Sequence, residues 1–155
     1  MPSPLRLSVH RPPAPGSDGL VARLTLRLSS DVRDIESAVE LMARHCLAGI
    51  ETPPPPLAFR LRVVLAEALA NAIVRGNGED REKLVDLSVE LWTDRIVIVV
   101  TDEGPGFDPS LVPEPTVPDR LERVGGRGLY LIRKLVDDVH FNGRGNVICM
   151  TLRRR

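Results

Sequence analysis

The sequence predicts an α+β domain, a two-layer sandwich with helices on one face of a mixed, mainly antiparallel sheet. Three observations predict it. Stretches whose apolar residues alternate every second position are interleaved with stretches of helical period, in the order β-α-α-β-β-α-β-β. That order lacks the regular strand–helix alternation of a doubly wound parallel fold, so the helices gather on one side of the sheet. Of the 155 residues, 43% are apolar but only 3% aromatic, enough for one core built from Leu, Val, Ile and Ala.

Residues 1–19 are rich in proline and carry little periodicity, which predicts a flexible lead-in with at most a short edge strand. The single domain is then read as residues 20–155. Leu20, Ala22, Leu24, Leu26 and Leu28 alternate with Arg23, Thr25 and Arg27, a half-buried strand. Ser30 or Asp31 can cap the helix that follows, whose stripe is Val32, Ile35, Val39, Met42 and Cys46, with Gly49 as its stop. Pro53 to Pro56 read as a stiff extended connector. A second helix is expected from about Leu57 to Arg75, ended by Gly76 and Gly78. Residues 84–91 alternate again, Asp94 marks a hairpin turn, and Arg95 to Thr101 (RIVIVVT) read as a strand buried on both faces. A long loop follows from Asp102 to Gly128, then a third helix to about Asp138. Val139–Phe141 and Val147–Leu152 form a terminal hairpin around NGRGN, and Arg153 to Arg155 read as a solvated end.

Composition excludes several classes. Lys plus Arg and Asp plus Glu are each 21, a zero balance that argues against a general nucleic-acid binder. No run approaches the ~18 apolar residues of a membrane helix. The opening MPSPLRLSVHRPPAPG lacks the apolar core of a signal peptide, which predicts a cytoplasmic protein. Cys46 and Cys149 lie far apart and outside any CxxC pattern, so they read as reduced. GxxxxGK[ST] and HRD are both absent, which excludes P-loop and eukaryotic-type kinase chemistry.

Four segments carry candidate chemistry. In EALAN, Glu67 and Asn71 stand four residues apart on one helix flank, separated by ~6 Å of rise. A carboxylate and an amide so placed can hold a metal ion with its waters or activate a hydroxyl, although charged residues flank helical stripes everywhere and the segment alone is a weak signal. In DEGPGF, Asp102 ends the RIVIVVT strand, where it can accept from an exocyclic amine. Gly104 and Gly106 leave room for a planar ring, although Asp, Gly and Pro also make plain turns. In RVGGRGLYLI, glycines precede a helix whose free amides and dipole suit phosphate, with Arg123 and Arg127 as charged donors; the same residues could be simple helix entry. GRGNV, Gly143 to Val147, is a hairpin turn.

In this order and spacing, EALANAIVRGN, DEGPGFDP, GGRGLYLIRKLVDDV and GRGNV resemble the N, G1, G2 and G3 boxes of the GHKL ATPase superfamily, whose fold is the Bergerat ATP-binding sandwich. The likeness runs from about residue 20 to the end. Small size and the GRGLYLIRKLVDDV segment are most similar to the bacterial anti-sigma serine/threonine kinases. The resemblance implies ATP and Mg²⁺ as cofactors. Glu67 would be the general base, Asn71 would coordinate Mg²⁺, and Asp102 would bind the adenine amine with Gly104 and Gly106 shaping the base site. Gly126, Arg127 and Gly128 would contact phosphates, and Arg123 would lie on an ATP lid spanning about 108–125. Two positions depart from the family pattern. Arg75 stands where a histidine is usual, and Asn146 where a threonine helps bind adenine.

The function so implied is a serine/threonine kinase that phosphorylates a STAS-domain antagonist and binds a sigma factor. It would act without nucleic-acid or membrane contacts, as a homodimer through the sheet's edge and first helix, with residues 20–28 as the candidate strand. Two other readings stay open: a binding module of the same fold that does not turn over ATP, and the detached catalytic domain of a histidine kinase. None of His10, His45 and His140 sits in a helix resembling a phosphoacceptor hairpin, which counts against the last.

Overall fold

The computed structural model describes residues 5–12, 19–106 and 126–155. Its strands are β1 (Arg6–His10), β2 (Leu20–Ser29), β3 (Leu84–Trp92), β4 (Arg95–Thr101), β5 (Asp138–Phe141) and β6 (Val147–Arg153). Its helices are α1 (Ile35–Ala48), α2 (Pro55–Ala70) and α3 (Gly126–Leu135). The strands make one sheet in the order β1-β2-β3-β4-β6-β5, and every pair is antiparallel. This is the α+β sandwich expected of the chain.

The core lies between the sheet and the helices. Register stacks apolar residues across the strands in rows: Leu26, Leu87, Val100 and Ile148 in one, Leu24, Val89, Ile98 and Met150 in the next. All eight are buried, and α2 lays fully buried Leu57, Leu61, Val64, Leu65 and Leu69 over them. Alternation in the strands and the helical stripe in α2 are thus one pattern, with the apolar sides of both layers turned inward.

Several boundaries differ from the sequence expectations. Asp31, not Ser30, caps the first helical turn, its carboxylate accepting from the Arg33 N–H at 3.0 Å. Pro55 and Pro56 belong to the first turn of α2, where a missing N–H costs nothing. β4 is buried on the helix side only. Val97 and Val99, on the other side, are half-exposed, because all three helices lie on one face. Residues 20–28 are not an edge: β2 is flanked by β1 and β3, and β1 is the outer strand. The helix expected to run to Arg75 ends at Ala70 and passes into a wider π-helical turn, Asn71–Gly76.

The carboxyl end of α3 is tied down by the first of two consecutive aspartates. Asp137 accepts from the Arg153 N–H at 2.7 Å, from Arg60 at 2.9 Å and from Arg155 at 2.6 Å. Arg60 also donates to the Leu135 carbonyl at 2.8 Å, and Arg154 to the Trp92 carbonyl at 2.8 Å. The terminal arginines are therefore not simply solvated: Arg154 and Arg155 are engaged through their side chains and Arg153 through its backbone. The Arg153 amide, then Arg60 and Arg155, hold the Asp137 carboxyl below its ordinary range against the opposing effect of burial. A depressed carboxylate contributes stability above its unfolded pKa and loses it as pH falls through the folded value. Asp137→Asn is expected to lower stability at neutral pH by about 1–3 kcal/mol. It should also flatten the acid limb of the stability profile below about pH 4, measured by urea titration across pH.

Candidate functional site

The π-helical turn Asn71–Gly76 organises the site. Its widened path is closed by the Asn77 N–H donating to the Ala72 carbonyl at 2.9 Å and the Glu79 N–H donating to the Ile73 carbonyl at 2.8 Å. Such turns interrupt α-helices where function needs a displaced backbone. Here the turn joins two groups of candidate residues. Asn71 at its start faces α3, and Gly76 at its end faces the carboxyl end of β4.

At the first end, Glu67 and Asn71 share the flank of α2 that packs against α3. Gly128, the third residue of α3, touches both: a Cβ there would lie 3.0 Å from Glu67 Oε2 and 3.2–3.3 Å from the Asn71 amide. The helix begins at Gly126, three residues before the expected Leu129, so Gly126, Arg127 and Gly128 form its first turn. Backbone N–H groups of a first turn have no partner within the helix and carry its positive dipole end. Donors with no partner inside the helix are thus set beside a carboxylate and an amide.

At the other end, Asp102 follows β4 and is held by the segments around Gly76, Gly104 and Asn146. Its N–H donates to the Asn146 carbonyl at 3.0 Å. Its Oδ1 accepts from the Gly104 N–H at 2.8 Å. A Cβ at Gly76 would collide with the Asp102 carboxylate, and one at Gly104 would collide with the Gly76 carbonyl. Two glycines therefore let the π-helical turn close onto the strand end. Gly106 has φ +78, a left-handed backbone that favours glycine, and a Cβ there would strike the Arg144 carbonyl. Burial raises the Asp102 carboxyl above its ordinary range, opposed by the Gly104 N–H and by the charge of Arg144. A half-buried carboxylate so placed is a strong acceptor for an incoming N–H donor.

Gly76 was legible as a helix stop and as a member of EALANAIVRGN. Its packing role came from the fold, and Gly76→Ala is expected to displace Asp102. Overpacking of this kind costs about 1–3 kcal/mol, so affinity for a ligand held by Asp102 should fall about tenfold or more by titration.

Sequence reasoning also missed Asn77. This side chain is buried and fully satisfied: Nδ2 donates to Ser30 Oγ at 2.8 Å and to the Leu84 carbonyl at 3.0 Å, and Oδ1 accepts from the Glu103 N–H at 2.8 Å. It pins the residue after Asp102 to the end of the π-helical turn. Its signals were its place after Gly76, where a helix ends, and at the close of EALANAIVRGN.

Asn146 sits beside Asp102, but both ends of its amide are taken: Nδ2 donates to the Asp102 carbonyl at 3.1 Å, and Oδ1 accepts from Asn142 Nδ2 at 2.8 Å. Arg75 is exposed at the end of the π-helical turn. Arg123 and the expected lid, about 108–125, lie outside the described residues. Among the described residues there is no group of three or more His, Cys, Asp and Glu that could hold a metal ion. The Asn71 amide oxygen is of a chemistry that would suit Mg²⁺ whose other ligands are substrate phosphates and water. Cys46 and Cys149 are free thiols, and burial pushes Cys46 up to about 12.

The all-antiparallel sheet with its helices on one face is the architecture of a histidine kinase-like ATPase domain. The profile of that family matches residues 28–152, and the chain belongs to it. Its relatives include the serine-protein kinase RsbW of Bacillus subtilis, 34% identical over 100 residues, covering 59% of this chain and 61% of that one. RsbW of Oceanobacillus iheyensis is 31% identical over 96 residues, covering 58% and 61%. RsbW of Halalkalibacterium halodurans is 35% identical over 98 residues, covering 59% of each. The matches thus span about three-fifths of these relatives' length. Among the described residues, no helix is long and apolar enough to cross a membrane.

Proposed function

We propose that this chain is an ATP- and Mg²⁺-dependent protein serine/threonine kinase that also acts as an anti-sigma factor in the cytoplasm. Its substrate would be a small STAS-domain antagonist, and it would hold a sigma factor once that antagonist is phosphorylated. The similarity to serine-protein kinases RsbW supports the reaction class. One observation carries the chemistry: Gly128 at the start of α3 rests against both Glu67 and Asn71. In this reading that contact sets an anion-binding helix end beside a base and an oxygen ligand.

In this reading the adenine amine donates to Asp102, with Gly104 and Gly106 bordering the ring. The first-turn amides of Gly126, Arg127 and Gly128 receive the phosphate chain, and Arg123 adds charge from the lid. Asn71 would hold Mg²⁺, which supplies positive charge to the phosphate oxygens when bound. Glu67 accepts the proton of the substrate hydroxyl. The hydroxyl oxygen bonds to the γ-phosphorus as the bond from that phosphorus to the β–γ bridging oxygen breaks, and ADP leaves. Positioning and charge neutralisation account for most of such a rate. The active assembly would be a homodimer without nucleic-acid or membrane contacts.

The test is incubation with γ-labelled ATP, Mg²⁺ and a STAS-domain protein. Acid-stable label on a serine or threonine of the partner is expected. Nucleotide binding without transfer would favour the binding-module reading instead, and acid-labile phosphohistidine would favour histidine kinase chemistry.

A further inference from the structure

The hairpin between β5 and β6 does more than reverse the chain. Asn142, which begins the turn, accepts three backbone N–H groups on one oxygen: Gly145 at 2.8 Å, Asn146 at 3.1 Å and Val147 at 3.2 Å. That oxygen is fixed by its donors, so the Asn142 NH₂ must point the other way. It donates to Asn146 Oδ1 at 2.8 Å. With its oxygen so occupied, Asn146 turns its own NH₂ to the Asp102 carbonyl at 3.1 Å. Each amide dictates the orientation of the next. The Asp102 backbone is thereby held at both its polar groups by one residue, since its N–H already donates to the Asn146 carbonyl.

We infer that Asn142 is a positioning residue for base recognition: through Asn146 it sets the backbone from which the Asp102 carboxylate is presented. This rests on the reading of Asp102 as the adenine acceptor. Asn142 touches neither nucleotide nor reacting atoms in that reading, and its effect is confined to the base end of the site. It leaves Glu67, Asn71 and Gly128 untouched.

Asn142→Asp isolates the relay. The carboxylate still accepts the three backbone N–H groups, so the turn is kept, but it cannot donate to Asn146. The Asn146 amide then turns its NH₂ to the new carboxylate and its oxygen to the Asp102 carbonyl, two acceptors face to face.

The readout is the ratio of affinities for ATP and inosine triphosphate, in Mg²⁺. Inosine triphosphate bears a carbonyl in place of adenine's amine and shares its phosphates. The wild type is expected to prefer ATP strongly. In Asn142→Asp the ratio should fall about tenfold, roughly the worth of one hydrogen bond to a charged group, with the melting temperature little changed. A merely structural defect would weaken both nucleotides together, and an unchanged ratio overturns the inference. Should that variant fail to fold, Asn146→Asp gives the same test. It keeps the acceptor for Asn142 and removes the donor to Asp102, and again only a fallen ratio supports the relay. A wild type that binds both nucleotides equally, or neither, overturns the adenine reading itself and the relay with it. The two failures are therefore distinguishable.

Discussion

Asp102→Ala is expected to weaken binding of a fluorescent ATP analogue about 100-fold, the loss of a charge-assisted hydrogen bond and of the cradle around it. The carboxylate is wedged between the Gly76 backbone and the Gly104 N–H. The same group predicts a pH dependence. Burial raises its pKa, so it takes up a proton at a pH above the ordinary carboxylate range. The ionised form is the better acceptor, and affinity should therefore fall as pH drops through that raised value. In the unliganded protein the sign is opposite: a raised carboxyl pKa penalises the folded state at higher pH, and the penalty fades on acidification. Asp102→Ala should consequently show little loss of melting temperature near neutral pH while losing nucleotide.

Glu67→Gln should separate binding from chemistry. The substitution keeps the shape of the side chain beside Gly128 and removes its charge and its capacity to take a proton. Transfer of labelled phosphate to a STAS-domain protein is expected to drop by about 10²–10⁴-fold, with ATP affinity within a few-fold of wild type. Equal loss of binding and transfer would mean that Glu67 holds the site together instead of acting as base.

The elements were legible where one periodicity ruled. The alternation in residues 20–28 and 84–91 gave β2 and β3, because each has one apolar side turned to the helices. RIVIVVT was misread as buried twice over. Its apolar run identifies a strand, but only the tertiary arrangement shows that all helices lie on one side. The π-helical turn left no periodic trace, since NAIVRG continues the apolar stripe of α2 and departs from it only in backbone path. Candidate residues at both ends of that turn were readable as boxes, yet their meeting was not. Gly76 against Asp102 and Gly128 against Glu67 join positions 26 and 61 residues apart (102 − 76 and 128 − 67), and no local signal encodes such contacts. The relay through Asn142 was hidden for the same reason, as asparagine in a hairpin reads only as a turn former.

The central claim is that the two ends of the π-helical turn form one adenine-nucleotide site. Calorimetric titration of the wild-type chain with ATP and with ADP, in magnesium, tests it most directly. The expected result is one site per chain for both nucleotides, because Asp102 and the first turn of α3 engage groups that ATP and ADP share. A folded protein that gives no binding at millimolar nucleotide would contradict it.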